Sequence, residues 1–366
     1  MTTPTCTLCN REVPTDDLLD FADHLLCPDC VTRYTTVCQC CGERIWFADN
    51  AGSHSFPLCQ DCYDRHYTHC RACGCVIHLD EGYYPDDDDE PFCASCYHDR
   101  NEPEIINDYN YKPDPIFYGT GERFFGVELE IDGAGECTSN AERILETAHR
   151  NGLEYIYCKH DGSLEDGIEI VTHPMSPMFH QYEMPWQAIL DKAVRLGYTS
   201  HQSGTCGLHV HVNRTAFGNT EADQDEVIAR ILYFFERHWE ELLKFSRRTR
   251  RQLDHWAARY GYKDKPKDIL EHAKKGSAGR YACVNLTNYH TIEFRIFRGT
   301  LKYNTLIATL QMVNHICDAA ILLCDEEMRN LSWSDFMMGI TEPELIQYLK
   351  ERRLYRNEPV EVSEEV

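Results

Sequence analysis

Four stretches of the chain alternate apolar and ionisable residues with the period of a β-strand, namely GVELEI, GIEIV, GLHVHV and TIEFRIFRG. Successive side chains of a strand point to opposite faces, so each stretch predicts one apolar face and one ionisable face. The ionisable faces carry only Glu, His and Arg, whereas the solvated face of an antiparallel sheet usually mixes Thr, Ser, Lys and Glu. This composition favours a functional site on one face of the sheet over a surface that is merely solvated.

Helical periodicity dominates much of the chain around these strands. Apolar residues recur at helical spacing over about 139–151, 186–196, 225–250 and 305–324, and a last helix opens near Thr341. The two longest helices can pack on the apolar face of the sheet. We therefore predict an α+β domain over residues 119–330, followed by C-terminal helices and an acidic tail over residues 331–366.

The first hundred residues contain a different repeat, which is built from cysteine. Six CxxC pairs define three modules over residues 6–30, 38–62 and 70–96, and the modules begin 32 residues apart. The twelve paired residues are Cys6, Cys9, Cys27, Cys30, Cys38, Cys41, Cys59, Cys62, Cys70, Cys73, Cys93 and Cys96. Cys40 and Cys75 fall outside the repeat, and we interpret them as additional thiols rather than ligands.

Each cysteine module is too short to fold around an apolar core, so a metal or disulfides must stabilise it. Four thiolates in CxxC…CxxC spacing fit a closed, tetrahedral zinc site. Disulfides would need an oxidising compartment, and iron–sulfur proteins use other cysteine spacings. We predict three structural Zn²⁺ ions in three small treble-clef-like modules, which together span residues 1–100.

Charge limits what these modules bind. The chain has 60 Asp+Glu against 36 Lys+Arg, a net charge of −24, and residues 1–100 hold 18 acidic and 6 basic residues. Nucleic-acid binding depends on Lys and Arg, so the modules are predicted to bind a protein partner or to be purely structural, and not to bind nucleic acid.

Residues 101–118 are predicted to be a linker, because three prolines interrupt them and apolar periodicity is missing. No run in the sequence approaches the roughly 20 apolar residues of a membrane span. The first residues lack the basic start and apolar run of a signal peptide. We therefore expect a soluble, cytoplasmic protein that does not bind membranes.

The ionisable face of the sheet is predicted to bind a divalent cation. Glu128 and Glu130 share one strand face, where two carboxylates repel each other unless a cation lies between them. Carboxylates together with a histidine suit Mg²⁺ or Mn²⁺ rather than a metal that prefers thiolates.

Five strings of the sequence together resemble the amidoligase family, which is similar to the glutamine synthetase and glutamate–cysteine ligase group of carboxylate–amine ligases. They are GVELEI, HDGSLEDGIEIVTHP, GTCGLHVHV, RYACVNL and TIEFRIFRGTL, and they occur in the family's order over residues 117–323. The resemblance implies that 119–330 is an amidoligase-like catalytic domain whose antiparallel sheet curves into a funnel of glutamine synthetase type. The cysteine modules lie outside it.

The resemblance also implies site residues. The implied magnesium ligands are Glu128, Glu130, Glu169, Glu293 and one of the two histidines His209 and His211. Arg295 and Arg298, with Glu293, would be catalytic and handle phosphate or carboxylate. Residues implied near the substrate or nucleotide are Asp161, Ser163, Lys275, Arg280 and Asn285, although Lys275 and Arg280 fit an ordinary surface loop equally well.

The implied reaction joins a carboxylate to an amine by way of an acyl phosphate made from ATP, so ATP and Mg²⁺ or Mn²⁺ are the expected cofactors. The sequence contains no GxxxxGK[ST] loop, so phosphate recognition would depend on metals and arginines. Two alternatives remain. His209 and His211 also fit the HxH of a metal-dependent amidohydrolase, and a ligase-like domain without catalysis would be a zinc-finger binding protein.

Overall fold

The computed structural model describes residues 4–84, 90–100, 105–149, 152–275 and 279–355, apart from the side chains of 98–100 and 280. The chain divides into two compact units, Met1–Glu102 and Pro103–Val366. Part of the predicted linker (101–104), the predicted acidic tail (356–366) and the side chain of Arg280 lie outside the described residues.

The first unit repeats one small motif of hairpins and a short helix. Its elements are β1 Leu19–Phe21, β2 His24–Leu26, α1 Pro28–Tyr34, β3 Thr35–Val37, β4 Arg44–Trp46, α2 Gln60–His66, β5 Tyr67–His69, β6 Val76–His78 and α3 Ala94–Arg100. The strands pair as three antiparallel hairpins, β1–β2, β3–β4 and β5–β6. Knuckle, hairpin and helix are the parts of a treble-clef-like module, as predicted.

The helices of this unit begin within the second CxxC pairs. Each starts directly after the first cysteine of a second CxxC pair, so that Cys30, Cys62 and Cys96 lie in the first helical turn. Directly after the first CxxC pair of each module, Asn10, Gly42 and Gly74 have positive φ angles. Asn and Gly tolerate this left-handed backbone, which lets the amide of each residue turn back to the carbonyl of the first cysteine of its pair.

The second unit is built around one seven-stranded sheet. Its strands are β7 Ile106–Asn107, β8 Phe125–Asp132, β9 Ile156–Lys159, β10 Gly167–Thr172, β11 Gly207–Asn213, β12 Val284–Asn285 and β13 Thr291–Arg298. Their order across the sheet is β12-β13-β11-β8-β10-β9-β7. All neighbours are antiparallel except β7 and β9, which are parallel. The predicted α+β class is confirmed, but the sheet is mixed at one edge.

Strand β7 lies inside the stretch that the prolines led us to predict as a linker. Ile106 pairs with Cys158 and Asn107 with Lys159, and the side-chain amide of Asn107 donates to the carbonyl of Cys158 at 3.1 Å. Two residues are too few to show strand periodicity, so the sequence does not reveal this pairing.

Eleven α-helices of the second unit fall within the described residues. They are α4 Thr138–Ala148, α5 Pro177–Tyr182, α6 Trp186–Arg195, α7 Glu221–Arg237, α8 Trp239–Ser246, α9 Arg250–Trp256, α10 Pro266–Lys275, α11 Tyr303–Leu322, α12 Asp325–Asn330, α13 Trp333–Met338 and α14 Pro343–Glu351. The helix predicted over 225–250 is broken at His238, and Arg247 ends α8 in the left-handed region with a φ of 62°.

The apolar faces of the four patterned strands form one core with the inner faces of the helices. Leu129, Val210 and Phe294 are fully buried there together with residues of α6, α7 and α11. Helix α11 is long and apolar enough to cross a membrane, with a mean hydropathy of 1.3, but 67% of its most apolar 18-residue stretch is buried inside the protein. Helix α11 therefore packs as a core helix against the apolar face of the sheet. The polar side chains of the strands lie on the opposite face.

Candidate functional site

Strand register brings the ionisable residues of four strands together. Across the central pair of strands, His209 lies opposite Glu128. On either side of that pair, Glu169 lies opposite Glu130 and His211 lies opposite Glu293. Because directly paired residues of neighbouring strands share a face, this register collects the side chains on one face of the sheet.

Glu128 lies at the centre of this group, which we call the carboxylate cluster (Glu128, Glu130, Glu169, His209, His211 and Glu293). Its carboxylate oxygens lie 3.1 Å from Nε2 of His211 and 3.3 Å from Nδ1 of His209. Potential ligand atoms of Glu128, His211 and Glu293 lie within 4.8 Å of one another, and so do those of Glu128, Glu169 and His209. Glu128 therefore belongs to two overlapping sets of possible metal ligands.

Glu130 and Glu169 are both buried carboxylates of the cluster. Glu130 accepts a hydrogen bond from the amide of Gly207 and lies 3.7 Å from Nε2 of His209. Glu169 lies 3.7 Å from Nζ of Lys159. Burial raises the pKa of Glu130, and burial together with the charge of Glu128 raises the pKa of Glu169 well above its ordinary value. Carboxylates crowded in this way are the kind of group that a divalent cation stabilises.

The two histidines lower the pKa of Glu128. Burial raises the pKa of Glu128, but its contacts with His211 and His209 outweigh that effect and hold the pKa well below the ordinary value. Burial lowers the pKa of His211, whereas Glu128 and Glu293 raise it, and the net direction is upward. Oxygen ligands with an imidazole beside them fit Mg²⁺ or Mn²⁺.

Three side chains contact the carboxylate of Glu293. The side-chain amide of Asn285 donates to it at 2.8 Å, that of Asn288 donates at 3.4 Å, and Arg295 forms an ion pair with it. Nδ1 of His209 lies 3.6 Å away. The Nε of Arg295 is buried and has no hydrogen-bond partner in the part of the chain that the structure describes. Arg295 therefore has hydrogen-bonding capacity left at the edge of the carboxylate cluster.

The first unit gathers its paired cysteines into three groups of four, within which the sulfur atoms lie no more than 4.8 Å apart. The measured Sγ–Sγ distances are 3.6 Å for Cys9–Cys27 and 3.7 Å for Cys73–Cys93. Four sulfurs at about 2.3 Å from a tetrahedral zinc ion would lie about 3.8 Å apart. The amide of Cys27 points at Cys6 and lowers the pKa of that thiol to about 6, which favours the thiolate form. The clusters fit structural zinc.

Comparison with known proteins supports the resemblance seen in the motifs. Residues 150–317 match the family described as "Putative amidoligase enzyme". The matched stretch covers just under half of the chain. The match supports the enzyme class that the motifs predict, an ATP-dependent ligase that forms an amide bond.

Solved structures show more distant similarity to the chain. A bifunctional glutathione synthetase from Pasteurella multocida is 15% identical, with a TM-score of 0.33 over 63% of this chain and 46% of that one. GmaS in complex with ADP is 13% identical, with a TM-score of 0.33 over 64% of each chain. The matched regions thus span about half to two thirds of the length of these structures. No curated protein sequence matches the chain.

The remaining predicted site residues lie at different distances from the carboxylate cluster. Asp161 and Ser163 share the turn between β9 and β10, where the Ser163 amide donates to Oδ1 of Asp161 at 2.7 Å, and the charge of Asp161 acts on Glu130. Arg298 instead lies beside Arg247. Lys275 is exposed at the end of α10. The roles of these residues stay predictions.

Sequence reasoning overlooked two basic residues of the second unit. Lys159 contacts Glu169 from the neighbouring strand, and Arg248 lies beside Gly207, where a Cβ atom would come within 2.6 Å of both Arg248 Nη2 and His209 Nε2. Strand alternation in IYCK could have identified Lys159. Arg248 lies in RRTRR, a run of basic residues that gives no sign of which arginine turns inward.

Proposed function

We propose that the second unit is an ATP- and Mg²⁺- or Mn²⁺-dependent carboxylate–amine ligase that forms an amide or isopeptide bond through an acyl phosphate. The observation that carries the proposal is the carboxylate cluster with Arg295 at its edge. Two overlapping ligand sets share Glu128, and a guanidinium with an unsatisfied N–H lies beside them. An acidic metal site next to an arginine suits the handling of a triphosphate.

The proposed chemistry follows from charge. An oxygen of the substrate carboxylate attacks the γ-phosphorus of ATP and ADP leaves, so that the carboxylate becomes an acyl phosphate. The amine then attacks the acyl carbon, phosphate departs, and the amine nitrogen loses a proton. A divalent cation held by Glu128, Glu293 and a histidine would neutralise charge on the phosphates. Arg295 would stabilise the phosphoryl oxygens as transfer proceeds.

Individual residues of this chain would prepare the site. Asn285 and Asn288 hold the Glu293 carboxylate from one side, and the Gly207 amide holds that of Glu130. Ligands that are fixed in advance keep their geometry during the reaction, which is the usual requirement of a catalytic metal site. Lys159 would limit the net negative charge around Glu169.

We further propose that the cysteine modules recruit a protein partner or a protein substrate, and that the protein works in the cytoplasm. The acidic surface expected from 18 acidic and 6 basic residues in positions 1–100 suits a basic protein surface. Groups of four cysteines placed to bind zinc, as in these modules, suit a compartment in which thiols stay reduced.

The test combines calorimetry with an assay of phosphate release. ATP should bind weakly in EDTA and much more tightly with Mg²⁺, because the carboxylate cluster repels a bare triphosphate. Phosphate release should then depend on both an added amine and an added carboxylate, drawn from amino acids, polyamines and peptides. Glu128→Gln should lose the metal dependence, whereas Glu226→Gln, which changes an exposed carboxylate on α7, should behave as the parent. Equal ATP affinity with and without metal would refute the ligase, and amide hydrolysis without ATP would favour the amidohydrolase.

A further inference from the structure

A second group of ionisable side chains lies beside the carboxylate cluster and has the opposite charge. A cavity of about 380 Å³ is lined by His201, Leu243, Lys244, Arg247, Arg248, Thr249, Arg298 and Arg352. We call it the basic pocket. Its lining, as far as the structure describes it, holds four arginines, a lysine and a histidine but no carboxylate. Like charges this close together raise the free energy of the folded protein unless an anion offsets them.

Two carboxylates act on arginines of the pocket from outside it, and both already have partners. Glu351, whose charge is felt at Arg247, forms an ion pair with Lys302 at 3.1 Å. Glu130, whose charge is felt at Arg248, accepts the amide of Gly207. Neither of them lines the basic pocket, so the positive charge of its lining is not neutralised from within the pocket.

Two polar atoms of the pocket are buried and lack partners. Nε of Arg248 and Nδ1 of His201 have no hydrogen-bond partner among the described residues. Buried donors in native proteins are nearly always paired, so each such atom needs an explanation. Burial and the neighbouring arginines, Arg247 first, lower the pKa of His201 to about 4. An oxyanion would accept from the guanidinium and lessen the repulsion among these cations.

The backbone at the pocket is also unusual. Arg247 has a φ of 62°, a left-handed conformation that is uncommon for a residue other than Gly, Asn or Asp. This conformation ends α8 and lets the Arg247 carbonyl lie 3.5 Å from Nη1 of Arg298. A Gly or Asn would hold the same turn without a charge, so the turn itself does not require an arginine at this position.

We infer that the basic pocket is a metal-independent subsite for an oxyanion, either a carboxylate or a phosphate. Arg248 forms the wall between the pocket and the carboxylate cluster, because its guanidinium and the His209 imidazole flank Gly207. A ligand with two anionic groups could therefore span both regions. The inference rests on the proposed function only for the source of the oxyanion, which is either a second acid group of the carboxylate substrate or a phosphate of the nucleotide.

The test measures binding of inorganic phosphate to the full-length protein in EDTA, by calorimetry at low ionic strength. Arg352→Gln and Arg247→Asn should each weaken phosphate binding by about tenfold or more, because each removes a charged donor. Asn tolerates the left-handed backbone at position 247, so this variant should fold. The matched control is Arg250→Gln, which removes an exposed arginine that pairs with Glu240 outside the pocket.

Competition identifies the source of the oxyanion. Glutarate that displaces phosphate, when butyrate at the same concentration does not, indicates a substrate with a second acid group. Displacement by ATP in EDTA, with no effect of glutarate, indicates a nucleotide phosphate. Both outcomes support the subsite.

Two results would overturn the proposed oxyanion subsite. No phosphate binding by the parent, or equal losses in Arg250→Gln and Arg352→Gln, would show that the pocket is not an oxyanion site. If only the subsite proposal is wrong, the protein should still bind ATP in a Mg²⁺-dependent way. If only the ligase proposal is wrong, that ATP binding should be lost while phosphate still binds in EDTA.

Discussion

Lys159 and Glu169 form a buried ion pair across neighbouring strands, with Nζ of the lysine 3.7 Å from Oε2 of the glutamate. Both side chains are about nine-tenths enclosed or more. The lysine stands at the end of the carboxylate cluster and supplies a positive charge that belongs to the chain itself. It lies beside the same carboxylate that is predicted to bind a divalent cation.

Removal of this lysine should make the protein depend on metal for its stability. Lys159→Met leaves Glu169 buried without its ion pair, which should cost about 3–5 kcal/mol of the free energy of unfolding. Millimolar Mg²⁺ or Mn²⁺ should recover part of the loss, and urea unfolding with and without metal measures it. The double variant Lys159→Met/Glu169→Met is the control and should lose less than the single one. A loss below about 1 kcal/mol with no response to metal would contradict the assignment.

Glu293 and Arg295 should differ in the step that they affect. Glu293→Gln should weaken metal affinity and be rescued in part by excess Mn²⁺, because it removes a ligand. Arg295→Lys should bind metal as the parent does and lose about 100–1,000-fold in turnover, because it removes a stabiliser of phosphoryl charge. Metal titrations and single-turnover assays separate the two effects. Parent-like turnover by both variants would show that this face of the sheet is not catalytic.

Gly207 should tolerate no side chain. In Gly207→Ala the new Cβ would come within 2.6 Å of both His209 Nε2 and Arg248 Nη2, and these groups would have to move apart. We expect weaker metal binding by at least about tenfold, in line with the effect of disturbing the support of a metal ligand. The matched control is Gly204→Ala, where a Cβ meets no atom within 4 Å. If the two variants bind Mn²⁺ equally well, the placement of His209 against Gly207 is wrong.

The three cysteine clusters should each hold one zinc ion. Elemental analysis of protein purified without added zinc should return about three equivalents per chain, with four ligands for each ion. Cys40→Ser and Cys75→Ser should leave this number unchanged, because these thiols lie outside the four-cysteine groups. Cys62→Ser should remove one equivalent and unfold its module, since a module of this size depends on its metal. A count near zero, or iron in place of zinc, would falsify the assignment.

His180 should make stability depend on pH. It is fully enclosed, it lies 3.1 Å from the Phe125 carbonyl and it accepts from Trp186 Nε1, and burial lowers its pKa to about 4. The unfolded chain takes up this proton near pH 6.5 and the folded protein only near pH 4, so stability is full above pH 6.5 and falls as pH decreases toward 4. The loss between pH 7 and pH 5 should be about 2 kcal/mol.

A substitution isolates this contribution. Gln at position 180 can keep both hydrogen bonds but does not titrate, so His180→Gln should lose less stability than the parent between pH 7 and pH 5. Urea unfolding followed by the fluorescence of Trp186 and the other tryptophans measures the difference. His160→Gln controls for the removal of a half-exposed histidine. Identical pH dependence in parent and His180→Gln would mean that the histidine is not held neutral.

Local spacing was enough to predict much of this protein. The CxxC repeat predicted which cysteines meet, because two residues between thiols form a tight knuckle whatever surrounds it. Alternation predicted which residues of each strand share a face, since side chains on a strand have a period of two. Glu128, Glu169, His209, His211 and Glu293 therefore lie on one face, as the sequence alone indicated.

Only the tertiary structure decided how these faces meet. Strand order and register placed Glu128 between both histidines and Lys159 against Glu169, and pairing between strands far apart in sequence depends on the whole core rather than on local residues. The predicted helix breaks at His238, and Arg247 ends α8 in the left-handed region, so the RRTRR segment leaves the helix and Arg248 lies beside Gly207. Arg298 lines the basic pocket rather than the carboxylate cluster. The sequence shows which residues are charged, but which of them contact each other depends on distances in the folded chain.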